Sequence, residues 1–136
     1  KKDPAVRYWG AVGLAASDNL DEKSVASLEE ALKDSSVTVR IEAANALARH
    51  GLTKSSIPVL SDALENENLA AVQHAARTIE LLGATAKTAV PAMKACDARM
   101  KVIRPPGTSP VVVQPDKDAA MFVLFSTEAF LKRFGH

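Results

Sequence analysis

Aromatic side chains are scarce: one Trp, one Tyr and four Phe make up 4% of the sequence. Alanine and leucine take their place, which disfavours a β-sandwich or barrel and favours helices in close contact. Cysteine is rarer still. Cys96 alone forms no intrachain disulfide, so a disulfide scaffold is excluded and the redox compartment is left open. An excess of charge of either sign is also missing. The 17 basic and 16 acidic residues leave a formal net charge of +1, too weak a field to point to nucleic acid or an anionic membrane. No apolar run reaches the roughly 18 residues of a membrane span, and no signal-peptide core follows the leading lysines.

What remains is ordinary for a globular chain. Across 136 residues, 47% are hydrophobic and 24% charged, enough for one domain with a real core, residues 1–136, and not comfortably for two. The opening "KKDPAVRYWG" enters a helical pattern at once and reads as a domain cut from a longer protein.

The sequence repeats itself. "DPAVRYWGAVGLAASD" lies over "SVTVRIEAANALARHG" at an offset of 33, placing Val6 on Val39, Arg7 on Arg40 and Leu14 on Leu47. That second copy lies over "NLAAVQHAARTIELLG" at an offset of 32, with Ala43, Ala44, Leu47 and Gly51 on Ala75, Ala76, Ile79 and Gly83. A helical period in the thirties marks a repeat array. Each copy opens on an N-cap residue, Asp3, Ser36 or Asn68, and two close on a capping glycine, Gly51 and Gly83. A glycine inside a helix costs about 1 kcal/mol relative to alanine. Gly10 and Ala11 fall in the slots of the Ala43–Ala44 and Ala75–Ala76 pairs, so close approach of a neighbouring helix is the expected reason for Gly10.

The partner helices lie between. "SVASLEEALKD" aligns with "SIPVLSDALEN", and "AVPAMKACDAR" follows with Pro91 at the place of Pro58. Both prolines are expected in a first helical turn, where a missing N–H costs nothing. Residues 104–116, "RPPGTSPVVVQPD", hold four of the seven prolines and break the period as an irregular insertion within the last pair. A helix resumes at Asp118. Its Phe122, Phe125, Phe130 and Phe134 either cap the open end of the core, which their spacing favours, or present a face to another domain.

These units resemble HEAT repeats. The resemblance implies an all-α fold, a right-handed α-α superhelix of antiparallel helix pairs, and a scaffold for protein–protein interaction. A narrower resemblance lies in "DPAVRYWGAVGLAA", "VRIEAANALARHG" and "FSTEAFLKRFG". Together these are similar to the C-terminal helical extension of some bacterial arylsulfatase-like enzymes. That implies a non-catalytic appendage of an exported sulfatase-like hydrolase, periplasmic or extracellular. Such enzymes carry Cys or Ser followed by x-P-x-R, the residue converted to formylglycine. Here Cys96 is followed by "DAR", so no catalytic role carries over to this chain. The alternative is a HEAT scaffold unrelated to sulfatases.

No constellation of residues points to chemistry. His50, His74 and His136 lack a ligand spacing and are expected to face solvent or cap helices. Glu29, Glu30, Asp62 and Glu65 read as solvated faces, and Cys96 as a small hydrophobe. Arg7 and Arg40 repeat, but Val72 occupies the third equivalent position, which argues against a phosphate-binding ladder. Hydrogen bonding to neighbouring turns such as that at Asp34 is the expected role. Neither metal nor cofactor is expected. The site expected to matter is a docking surface at Tyr8, Trp9 and Val12, covered by an upstream catalytic domain of the same chain or by another protein, because an uncapped repeat end exposes an apolar patch.

Overall fold

A computed structural model describes residues 3–109 and 114–136. Among the described residues seven α-helices follow in order: α1 (Pro4–Ala15), α2 (Glu22–Ala31), α3 (Val37–Arg49), α4 (Thr53–Ala63), α5 (Leu69–Leu82), α6 (Val90–Ile103) and α7 (Pro115–Phe134). A 3-10 segment, Gly83–Ala89, leads into α6. No strand occurs among the described residues.

The helix boundaries follow from local chemistry. The Asp3 carboxylate accepts from the Ala5 N–H, the Ser36 hydroxyl from Val39 and the Asn68 side chain from Ala70, so all three N-caps satisfy donors that have no intrahelical acceptor. Asp21 does the same for α2, and the Ser24 N–H at 2.7 Å holds its carboxyl below the usual range. Gly51 and Gly83 turn the chain at φ 84° and 58°, a left-handed backbone that side chains resist. One expected boundary moves. Pro91 does sit at the start of α6, but α4 begins at Thr53, which puts Pro58 in the helix interior. There its ring forgoes a hydrogen bond to the preceding turn, a loss made at an exposed position.

The helices form two rows. Helices α1, α3, α5 and α7 stack in sequence, each packed on the next, while α2 and α4 lie alongside α3, with α4 also reaching α5, and α6 lies alongside α7. Helix α3 is the hub and packs on α1, α2, α4 and α5. Its sequence fits that place, because Val39, Ile41, Ala43, Ala44, Ala46, Leu47 and Ala48 are all buried. Each large member contributes about 1.5–3 kcal/mol relative to exposure. The alanine pairs at Ala43–Ala44 and Ala75–Ala76 are fully buried, as their repeat register requires.

Arginines tie the turns to the stack. Arg7 donates to both carboxylate oxygens of Asp34, at 2.7 and 3.0 Å, and Arg40 donates to the Asp34 carbonyl at 2.6 Å. Asn66 is the repeat equivalent of Asp34, and its carbonyl accepts from Arg99 of α6 at 3.1 Å. The turn-binding role expected of Arg7 and Arg40 is therefore the observed one.

At the far end, α7 begins at Pro115, so the irregular segment is shorter than the 104–116 expected. Residues 110–113 of that expectation lie outside the described residues. Arg104 holds the start of the connection, donating to the carbonyls of Lys117 and Thr108. The four phenylalanines divide. Phe130 is buried and Phe134 half-buried beside it with ring centroids 5.0 Å apart, whereas Phe122 and Phe125 are exposed.

Candidate docking site on helix α1

Helix α1 buries only Ala11 and Ala15. Its opposite side carries Ala5, Val6, Trp9, Gly10, Gly13 and Ala16, all exposed and none charged. Spacings of one, three, four and eight residues put them on a single helical face. Trp9 is 66% exposed and Val6 53% exposed, so large apolar side chains here meet water rather than protein. A Cβ placed on Gly10 or Gly13 would touch nothing within 4 Å. Close approach of a neighbouring helix is thus not what Gly10 serves within this structure, contrary to the expectation from the alanine pairs; only Ala11 of that slot is buried.

The repeat register explains the face. Val6, Gly10 and Gly13 correspond to Val39, Ala43 and Ala46 on α3 and to Ala71, Ala75 and Thr78 on α5. Every one of those six equivalents is buried. Placing Gly135 on Gly83 extends the register to Val123, Thr127 and Phe130 of α7, which are buried as well. These positions therefore mark the side of each stacked helix turned towards the preceding layer. On α1 that side is open.

The three residues expected to form the docking surface do not behave alike. Trp9 points outward, while Tyr8 and Val12 are half-buried at its edge. Tyr8 meets Trp9 edge to face with centroids 5.2 Å apart, and its ring lies 6.5 Å from that of His74 on α5. His74 is not simply solvent-facing as expected: its Nε2 lies 2.7 Å from Glu42 Oε1 on α3. Glu42 and His74 occupy the Trp9 position of the next two repeats, so one repeat slot carries an aromatic at the end of the stack and a polar pair within it. The register held that signal, since equivalent positions on adjacent stacked helices lie side by side. Asn45, Arg49 and Arg77 continue from this pair into an open groove of about 530 Å³.

Cys96 is 3% exposed, and burial pushes its thiol from an ordinary 9.0 up to about 11, which keeps it protonated and non-nucleophilic at neutral pH. Its neighbour Asp97 is occupied structurally. It accepts from the Thr127 hydroxyl at 2.8 Å and pairs with Lys101 at 2.7 Å, bracketing α6 to α7. No group of three or more His, Cys, Asp or Glu side chains is placed to hold a metal ion, and no helix is long and apolar enough to cross a membrane, among the described residues. His50 stands at the C-terminal cap of α3 through its backbone N–H alone, and its side chain, expected to face solvent or cap, is half-buried with Nε2 out of reach of any partner among the described residues; Glu29, Glu30, Asp62 and Glu65 are exposed.

Comparison with curated proteins finds no match. The family model of HEAT repeats matches residues 1–83, more than half of the sequence and the span from α1 to the end of α5. With its helix pairs, its internal period and its all-helical stack, the chain belongs to the HEAT-repeat family and forms an α-helical repeat superhelix.

Proposed function

We propose that this HEAT-repeat chain is a non-catalytic scaffold that docks a protein partner on the open side of α1, with Trp9 as the anchor and Tyr8 and Val12 at its rim. The observation that carries the reading is the 66% exposure of Trp9 beside an uncharged strip, Val6, Gly10 and Gly13, whose own repeat equivalents are all buried. Tryptophan and tyrosine supply large contact area at small entropic cost, which suits them to the centre of an interface. The partner is an upstream domain of the same polypeptide or a separate protein.

The finer setting is that of a helical appendage on a sulfatase-like hydrolase, exported with it. Its support is the resemblance of "DPAVRYWGAVGLAA", "VRIEAANALARHG" and "FSTEAFLKRFG" to such extensions. The buried, protonated Cys96 agrees with a role in which this chain performs no chemistry itself. A scaffold unrelated to sulfatases is the alternative. The gene sequence upstream of Lys1 separates the two: a Cys or Ser followed by x-P-x-R supports the sulfatase setting, and its absence rejects it.

The docking reading is tested by quenching of Trp9, the single tryptophan. In dilute isolated chain its emission should be readily quenched by acrylamide. A monomeric chain whose Trp9 is shielded would refute the open face.

A further inference from the structure

The repeat register picks out a second surface, on the outer side of the stack. Arg49 on α3, Leu81 on α5 and Arg133 on α7 occupy one slot in successive layers, the last with Gly135 placed on Gly83. All three are exposed, Leu81 at 70%. Cation, apolar side chain and cation therefore alternate across neighbouring helices. The Arg133 guanidinium lies 4.7 Å over the Phe134 ring and comes within 3.7 Å of where a Cβ on Gly83 would stand, which sets it at the end of α5 beside Leu82. One turn earlier, Asn45 and Arg77 share the adjoining slot and line the groove of about 530 Å³ together with Arg49 and Leu81.

The charges of this groove are unequally engaged. Glu42 is held by His74, and Arg77 gives one N–H to Glu80 at 2.9 Å, an exposed pair of the kind that stabilises little. Arg49 has neither hydrogen bond nor ion pair among the described residues. A cation in the last turn of a helix complements its dipole, which gives Arg49 and Arg133 a local reason to be there. That reason does not extend to Arg77, which precedes the last turn of α5, or to a leucine held in water between two arginines.

Spacing says what would fit. Helices α3, α5 and α7 are in contact, and packed helices lie about 8–10 Å apart. A polyproline-type segment rises about 3.1 Å per residue and presents every third side chain on one side, about 9 Å per turn. An acidic residue, an apolar residue and a second acidic residue, each three positions after the last, would therefore meet Arg49, Leu81 and Arg133 in turn. We infer that this row binds such an extended acidic segment of a protein partner. One carboxylate is shared by Arg49 and Arg77, the apolar side chain lies on Leu81, and the other carboxylate meets Arg133. Guanidinium suits this work, since its fork meets a carboxylate with two parallel hydrogen bonds. The inference rests on the reading of the chain as a docking scaffold and adds to it a site that does not use Trp9.

The test uses a capped synthetic peptide with glutamate at each end, leucine in the middle and paired prolines between, titrated into the isotope-labelled chain and followed by amide NMR. Saturable shifts should centre on Arg49, Leu81 and Arg133 and leave α2 unmoved. Replacing both peptide glutamates by glutamine should weaken binding about tenfold or more. Arg49→Gln and Arg133→Gln should each weaken the acidic peptide by a similar factor, whereas Lys94→Gln, the same loss of charge at an exposed position of α6, should not. The glutamine peptide alters nothing in the protein, so it stays decisive even if a variant fails to fold. Absence of saturable shifts at the row, equal binding by the glutamine peptide, or an equal loss in Lys94→Gln overturns the inference. So does displacement of the peptide by inorganic phosphate at matching concentration, which would mark a plain anion site. Acrylamide quenching reads Trp9 separately. Binding at the row by a monomer with shielded Trp9 removes the α1 face alone, and an open Trp9 without binding at the row removes the row alone.

Discussion

Arg7 on α1 grips Asp34 at the end of α2 with two parallel hydrogen bonds, across 27 residues of sequence. The same carboxylate accepts the Ser36 N–H at 2.8 Å, so one side chain both anchors α1 and shapes the start of α3. Planar guanidinium and carboxylate groups match in this arrangement, and an ammonium cannot reproduce it. Removing Asp34 should therefore lower the denaturation midpoint more than removing Arg7. Arg7→Lys should fall between the unmodified chain and Arg7→Ala. An unchanged midpoint in Asp34→Ala would show that the grip contributes nothing to the fold.

The register of the small residues is open to direct test. Ala44 and Ala76 have no exposed surface, so leucine at either should overpack the stack and cost about 1–3 kcal/mol. Glu30→Leu, on an exposed face of α2, should leave stability nearly unchanged. Denaturant titrations that cannot separate the two kinds of site would refute the register.

A similar contrast applies to α7. Phe130 is 1% exposed and packs in the main core, so Phe130→Ala should cost about 3–5 kcal/mol. Phe122→Ala, at an exposed position of the same helix, should cost less than about 0.5 kcal/mol. Equal losses would mean that Phe122 belongs to the core.

Cys96 gives the fold an alkaline limit. Its folded thiol is held at about 11 against an ordinary 9.0, chiefly by burial. Folding therefore favours the protonated form. That contribution is complete below the unfolded value, and it is lost as pH rises from 9.0 through about 11. Cys96→Ala should flatten the decline in melting temperature over that window. Labelling of the thiol by a disulfide reagent at neutral pH should also follow the opening of α6 rather than reagent concentration. Immediate labelling of the native chain would contradict the burial.

Much of this architecture was legible in the sequence because its causes are local. Asp3, Ser36 and Asn68 cap helices whatever surrounds them, and Gly51 and Gly83 turn the chain through their own backbone freedom. The roles of Arg7 and Arg40 followed from their repetition beside a turn. Gly10 departs from its register for a different reason. A repeat identifies a packing position without saying which layers flank that copy, and at α1 the flanking layer is absent from the structure. Pro58 falls inside the helix because α4 starts straight after the Gly51 turn, with no side-chain cap to mark it; Leu52 makes none. The division of the phenylalanines depended on which side of α7 meets α5 and α6, a tertiary fact with no signature in their spacing.

The hub position of α3 also grades local stability along the array. It buries seven residues, α1 only two, and α1 carries two glycines that tax its helix without any packing return. Native-state amide exchange should be slowest along α3 and fastest along α1, with α1 opening as a separate unit while α3, α4 and α5 stay closed. A partner that settles on Trp9 would also be completing the helix that presents it, so its binding strength would carry the cost of ordering α1.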